Sequence, residues 1–510
     1  MVVDPAKRFR EAYEEAGQAQ VWEVYEGLKG GEREAFLEQA GSLCVEKGGT
    51  WVLAAPVEPV EPVEPVEPAA LVSPMGAPAV VPLPADRCAS LCREKPENIQ
   101  RWRSLGLWNI SEGRVAVIVL AGGQGTRLGA EGPKGCVDIG LPSHKSLFQL
   151  QAERIRRLGM LARGASGGTA GGTAGGTAGC ATSATSAESA VIPWYIMTSR
   201  FTRSATEQFF CQHDFFGLCR ENVIFFDQSD VPCFSLDGKM FLESRERIAT
   251  APNGNGGLYQ ALVDSHVLDD MIARKIQHVH CFSVDNCLVR VADPVFLGFS
   301  IERDLDVSTK VVCRQDTLEN VGLVVLKDGK PSVIEYTEMT REVAEAMDAS
   351  SGQLKFRAAN IANHYFNIRF LLQVSTWGPQ LPYHKTRKKV PYYDVQLGKV
   401  VVPETPNAVK LEKFVFDVFP YVLLNKFGCL EVARCDEFSP LKNSQEMRKD
   451  NSDTSRRDIL AQGRRWIEQA HGILVGDAFD GIEVSPLVSY AGEGLGFVEG
   501  KHYETWSVVE

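Results

Sequence analysis

The sequence predicts an α/β fold, a mostly parallel sheet with crossover helices, flanked by a small helical N-terminal region and a small C-terminal domain. Three observations carry that reading. Val115, Ala116, Val117, Ile118, Val119 and Leu120 form an unbroken apolar run, as a central strand buried on both faces requires. Apolar strand-like runs then alternate with helical stretches, the order expected of parallel strands joined by crossover helices. The central run also breaks abruptly into glycine, at Gly122, Gly123, Gly125 and Gly129. Glycine there lets backbone N–H groups approach an anion at the carboxyl end of the strand.

Taken in order, residues from about 5 to 48 read as helices, with Phe9, Tyr13, Val21, Trp22 and Leu28 as apolar contacts among charged residues. Residues 56 to 68 repeat Pro-Val-Glu, a solvated linker that suits neither helix nor paired strand. A helical segment from Pro96 to Leu105 leads into the central strand. After the glycine loop, Leu147, Phe148, Leu150, Ile155, Leu158 and Leu161 share one side of a covering helix. A Gly-Gly-Thr-Ala tract at residues 167 to 179 has too little apolar surface to offset its ordering entropy and reads as a disordered insertion. Strand and helix then alternate from Val191 through the apolar run His278–Val284, with Asp-Gly hairpins near Phe234 to Phe241 and Val321 to Tyr336. The expected partition is a helical region at 1–50, a disordered Pro-rich linker at 51–93, a catalytic domain at 94–162 and 191–400, a disordered insertion at 163–190, and the domain edge with a small C-terminal domain at 401–510.

Composition narrows the function classes. The 510-residue chain is 44% hydrophobic and 23% charged, ordinary for a globular protein of two or three domains. Its net charge of −11 argues against a general nucleic-acid surface. No apolar run approaches the ~18 residues of a membrane span, and the N-terminus lacks the apolar core of a secretory signal. The 13 cysteines are scattered without paired zinc knuckles, so reduced thiols and a cytoplasmic location are expected.

The glycine loop carries the chemistry. Arg127 and Lys134 set permanent positive charge beside it, and a polyphosphate is the guest it suits. A Walker A loop is excluded because Gly135 is followed by Cys136, and a dinucleotide loop because Gly123, Gly125 and Gly129 are spaced GxGxxxG. A ligand-free strand-to-helix turn is the alternative. A second loop, Ala251 to Gly257, includes Gly254 and Asn255 and allows a flat base or a sugar to approach, or is a plain loop before a helix. Asp285 follows the apolar strand ending at Val284, where a carboxylate holds Mg²⁺ (or Mn²⁺) with phosphate oxygens, or else caps a turn together with Asn286. Glu335 and Asn360 lie in β-rich surroundings and suit sugar hydroxyls or an acetamido group, or satisfy a hairpin backbone. Lys442 follows a Pro-broken turn, Glu437 to Leu441.

These segments in one order, LAGGQGTRLG with PKG, PWYIMTS, ENVIFF, NGNGGLY, VDN, VIEY, NIANH, EKFVFDVFP, EFSPLKN and VSPLVSYAGEGL, resemble the eukaryotic UDP-N-acetylglucosamine pyrophosphorylases and their closely similar paralogue. The resemblance runs from about residue 98 to 495. It implies a Rossmann-like nucleotidyltransferase domain and the reaction of UTP with N-acetylglucosamine 1-phosphate giving UDP-N-acetylglucosamine and pyrophosphate, with N-acetylgalactosamine 1-phosphate as a further candidate substrate. By motif position it implies that Gly122, Gly123, Gln228, Gly254 and Asn255 hold the nucleotide. Arg127, Lys134 and Lys442 would act on the phosphates, Gly322, Glu335 and Asn360 would contact the sugar, and Asp285 would bind the metal. The implied partners are UTP and a sugar 1-phosphate, with neither nucleic acid nor membrane, in a monomer or homodimer.

The chain departs from the family pattern at Asn253, where Asp is usual, and at Arg357-Ala358-Ala359-Asn360, where Asn-Ala-Gly-Asn is usual. Ala359 is expected to add a methyl near the sugar, and Arg357 bulk and charge. A catalytically weak nucleotide-binding paralogue and a pyrophosphorylase of another sugar preference are the alternatives these departures suggest.

Overall fold

The computed structural model describes residues 4–47, 50–53, 80–129, 132–166, 190–477 and 480–510. The Pro-Val-Glu and Gly-Gly-Thr-Ala tracts lie outside them. Two compact units emerge, one drawn from Met1–Ala77, Gln228–Leu258 and Gln380–Val415, the other from Pro78–Asp227, Tyr259–Pro379 and Phe416–Glu510. They cut across the linear partition expected from composition, because strand pairing and core packing join segments far apart in sequence.

In the first unit the helix Pro5–Glu15 is opened by Asp4, whose carboxylate accepts from Ala6 N at 3.1 Å. With the helix Gly31–Ser42 it buries Tyr13, Trp22 and Phe36 against Val231, Phe234, Ile248 and Leu411. The N-terminal region therefore shares a core with two later segments. The strand Ala408–Glu412 pairs antiparallel with His384–Lys388 and Phe234–Ser235.

The second unit holds an eleven-stranded sheet. Its strands are β1 (Val80–Val81), β2 (Cys88–Ser90), β3 (Val115–Leu120), β4 (Trp194–Thr198), β5 (Val223–Asp227), β6 (His278–Ser283), β7 (Val307–Cys313), β8 (Leu323–Lys327), β9 (Lys330–Ile334), β10 (Ala358–Asn367) and β11 (Phe427–Val432). Their order is β2-β11-β7-β10-β6-β3-β4-β5, with β8 joining β9, β10 and β1. Pairings β2 to β11, β11 to β7, β6 to β3, β3 to β4 and β4 to β5 are parallel, while β10 runs antiparallel to both its neighbours. Along that path the sheet is mostly parallel with one reversed strand in its middle, while β8 runs antiparallel to β9, β10 and β1. Val115 to Val119 are wholly buried, as the unbroken apolar run requires.

Helices α1 (Pro96–Ser111), α2 (Leu147–Ser166), α3 (Arg203–Gln212), α4 (Pro294–Glu302) and α5 (Ser452–Gln469) belong to the same unit. Helices α1 and α4 cross at reciprocal glycines. A Cβ on Gly106 would lie 2.0 Å from the Pro294 carbonyl oxygen, and one on Gly298 would lie 1.9 Å from that of Trp102. No helix among the described residues is long and apolar enough to cross a membrane.

Two boundary expectations are corrected. The linker expected at 51–93 contains structure at both ends, since Thr50–Leu53 pairs with Cys44–Lys47 and both β1 and β2 join the large sheet. Short segments such as these gain their order from a preformed partner strand rather than from their own composition. The insertion expected from residue 163 begins later, because α2 continues to Ser166.

Candidate active site at the carboxyl rim of the sheet

The register places the candidate residues of the second unit along one rim. Leu120 at the end of β3 stands opposite Ser283 at the end of β6, so Gly122 and Asp285 leave the sheet side by side. On antiparallel β10, Asn363 faces Phe282, and the chain leading back to Asn360 reaches the same rim. Ligands in open α/β sheets bind at this edge.

The glycine loop is held by its own backbone. Gly125 N donates to Gly132 O at 2.8 Å, Lys134 N to Gly123 O at 3.3 Å, and Ser199 Oγ to Gly122 O at 2.9 Å. Gly129 and Gly132 adopt φ of 74° and 105°, which other residues resist. Gly135 is required by packing, since a Cβ there would lie 2.2 Å from the Phe148 ring. Gly123 is different. It has no left-handed φ, and a Cβ there would meet no atom of the described residues within 4 Å. Nothing in the described fold demands glycine at 123, which leaves room for a ligand as the reason.

Lys134 Nζ lies 3.2 Å from Asp285 Oδ2, and Ser283 Oγ donates to Asp285 Oδ1 at 2.7 Å. Burial pushes the Asp285 pKa up, but the charges of Lys134 and Lys442, aided by the Ser283 hydroxyl, outweigh it and hold the carboxyl below its ordinary value. Asp285 is therefore an anion paired with Lys134 and stabilised by the charge of Lys442. The turn that carries Lys442 is stitched to this spot. Leu441 N donates to Asp285 O at 2.8 Å, Ser439 N to Asn286 Oδ1 at 3.0 Å, and Asn286 Nδ2 to Glu437 O at 2.7 Å. Arg127 sits exposed on the single turn Thr126–Leu128 of the same loop.

Gly322, Glu335 and Asn360 are also brought together. Asn360 N donates to Gly322 O at 2.9 Å, and a Cβ on Gly322 would meet Glu335 Oε1 at 2.7 Å. The Asn360 side-chain oxygen accepts from Ala362 N at 3.1 Å. The expectation for Ala359 is corrected, because alternation along β10 turns its methyl into the main core, where it is wholly buried, and away from the face of Asn360. Arg357 is likewise engaged elsewhere, bonded to Gln353 and 3.5 Å from Glu431.

Gln228, Gly254 and Asn255 belong to the first unit and are described there. Gly254, with φ of 77°, and Gly256 are demanded by the chain itself, since a Cβ on Gly254 would lie 2.5 Å from Lys413 O and one on Gly256 would lie 2.6 Å from the Lys413 carbonyl carbon. Asn255 Oδ1 accepts from Val415 N at 2.9 Å. Asn253 is buried, donating through Nδ2 to Ser229 Oγ at 3.2 Å. Gln228 is buried in the same neighbourhood, 3.6 Å from where a Cβ on Gly257 would stand.

Sequence reasoning passed over Ser283, Ser199 and the clamping role of Asn286, which it read only as part of a turn cap. Polar residues flanking a candidate carboxylate were the available signal.

The sequence matches the family described as UTP–glucose-1-phosphate uridylyltransferase over residues 90–485. The chain belongs to that family. Among curated relatives, it is 42% identical to UDP-N-acetylglucosamine pyrophosphorylase of Saccharomyces cerevisiae over 502 residues, 98% of either chain. It is 44% identical to the human UDP-N-acetylhexosamine pyrophosphorylase-like protein 1 over 83% of this chain and 82% of that one. Among solved structures, it superposes on the UDP-N-acetylglucosamine pyrophosphorylase of Trypanosoma brucei with a TM-score of 0.76 and 29% identity, covering 97% of this chain and 95% of that one.

Proposed function

We propose that this chain is a uridylyltransferase that joins UTP and N-acetylglucosamine 1-phosphate into UDP-N-acetylglucosamine, with N-acetylgalactosamine 1-phosphate as a second substrate. One observation carries the reading: the Lys134–Asp285 pair, with Lys442 acting on the same carboxylate, stands at the sheet rim that also gathers Gly322, Glu335 and Asn360. The names borne by relatives at 42 to 44% identity support it.

The chemistry asks for charge more than for a base. A sugar phosphate has a second pKa of about 6 and is already largely ionised at neutral pH, so its oxygen attacks the α-phosphorus of UTP without proton removal. The bond from that phosphorus to the bridging oxygen breaks, and pyrophosphate departs with the electron pair. Two polyanions must meet, and negative charge grows on the leaving group. Arg127, Lys134 and Lys442 supply fixed positive charge for both demands. Gly122 and Gly123 would let the nucleotide approach the backbone. The nucleotide role of Gln228, Gly254 and Asn255 rests on the family resemblance.

The donor set suits a hard cation. Asp285 offers a carboxylate, and Mg²⁺ or Mn²⁺ is commonly held by one or two carboxylates plus substrate phosphate oxygens. Among the described residues no cluster of three or more His, Cys, Asp or Glu side chains forms a metal site without substrate. Asp285 would hold the ion, which supplies charge neutralisation at the phosphates.

The test is identification of the product. Incubated with UTP, Mg²⁺ and the 1-phosphates of N-acetylglucosamine, N-acetylgalactosamine and glucose in turn, the chain should yield a UDP-N-acetylhexosamine by mass spectrometry. UTP binding with no UDP-sugar from any of the three would reject the reading. We further propose a cytoplasmic location and a monomer or homodimer, checked by fractionation and light scattering.

A further inference from the structure

Behind the Lys442 turn lies a buried ionic cluster that touches none of the candidate substrate groups. Lys310, on β7, is wholly buried, and its ammonium lies 2.6 Å from Asp293 Oδ2 and bonds Glu437. Arg290 Nη1 stands 3.7 Å from the other Glu437 oxygen, so two cations face two carboxylates. Asp293 caps α4 by accepting from Val295 N at 3.1 Å. Glu437 opens the segment that ends in Lys442. Its carbonyl is held by Asn286, the residue next to Asp285.

Such a cluster needs a reason other than stability. Desolvating these charges is costly, and well-packed apolar replacements of buried ion pairs are often neutral or stabilising. What the charges provide is directionality. An apolar contact would let the 437–442 turn slide, whereas Lys310 fixes the Glu437 carboxylate from below while Asn286 fixes its carbonyl. We propose that Lys310 is a positioning residue that sets Lys442 against Asp285 through Glu437. This rests on the uridylyltransferase reading above. It adds that the placement of a phosphate-facing lysine depends on a buried cation that never meets substrate.

The full-length chain tests this with Lys310→Met and Glu437→Gln, each alone and combined with Lys442→Gln. Lys310→Met should lower kcat by about tenfold or more while the KM for UTP stays within about threefold, because the displaced ammonium acts on charge that develops at the departing pyrophosphate. In the Lys442→Gln background the same substitution should cost less than about twofold. Amide exchange gives a readout that needs no turnover. Ser439 and Leu441 should lose protection in Lys310→Met while Val115 to Leu120 keep theirs, and Glu437→Gln, the gentler change, should shift both readouts in the same direction. Equal losses of kcat in both Lys442 backgrounds, or unchanged exchange at Ser439 and Leu441, would overturn the inference. An inactive parent would reject the uridylyltransferase reading instead, and the exchange experiment would still decide whether Lys310 holds the turn.

Discussion

Gly123 and His280 show how differently single residues are constrained. Gly123 has ordinary backbone angles and no described residue within 4 Å of where a Cβ would stand, so Gly123→Ala should leave stability within about 1 kcal/mol of the parent or raise it slightly. If phosphate lies against that backbone, the same methyl should weaken UTP binding at least about tenfold by titration calorimetry; unchanged affinity would leave the loop without a ligand role. His280 is wholly buried, donates from Nε2 to Asn363 Oδ1 and accepts at Nδ1 from Ala292 N, which fixes it as the neutral tautomer. Burial holds its pKa down to about 4, with His278 also at about 4 and His364 at about 3. The unfolded chain takes up these protons near pH 6.5 and the folded one does not, so their stabilisation is full above 6.5 and drains as pH falls toward 4. Each contributes about 1.4 kcal/mol per pH unit in that window. Urea midpoints between pH 7 and 4.5 should fall steeply, and His280→Gln should flatten the slope by roughly a third. An unchanged slope would show that His280 titrates normally.

Among the elements, the crossing of α1 and α4 is a close contact that rests on glycine at both helices. Gly298→Ala would drive a methyl to 1.9 Å from the Trp102 carbonyl oxygen, and the helices must separate to admit it. The expected loss is about 3 kcal/mol or more in denaturant unfolding, against the gain of a few tenths to 1 kcal/mol that Ala brings to an unconstrained helical site. A neutral substitution would contradict the packing. Strand β3, the glycine loop and Asp285 were legible in the sequence because each is announced locally, by an apolar run, by spacing, or by a carboxylate at a strand end. Strand β10 was harder to place. Its segment, Ala358–Asn367, mixes polar and apolar residues without a regular two-residue period, and only pairing with β6 and β7 makes it the reversed strand at the centre of the sheet. The misplaced methyl of Ala359 followed from not knowing which face of that strand carries Asn360.

Across the whole molecule, the sequence order of motifs was enough for the α/β class and the family, while the assembly of units was not. Positions 293, 310 and 437 meet only in three dimensions, and no local pattern marks Lys310 as anything but a surface lysine. The first unit likewise joins three distant stretches through one core. The Pro-Val-Glu and Gly-Gly-Thr-Ala tracts carry no residue assigned to the chemistry. Deleting 167–179 should therefore leave turnover within about twofold, and a larger loss in a steady-state assay would assign that tract a role.

If Lys134 and Lys442 at Asp285, with Arg127 on the glycine loop, drive pyrophosphate from UTP, then pyrophosphate release reads that chemistry directly. Parent, Arg127→Ala, Lys134→Ala and Lys442→Ala would be compared with UTP, Mg²⁺ and N-acetylglucosamine 1-phosphate at saturating concentrations. The parent should release pyrophosphate and each variant should fall about 10²-fold or more, since each removes charge that stabilises the departing anion. Release that survives all three substitutions, or none from the folded parent, would contradict it.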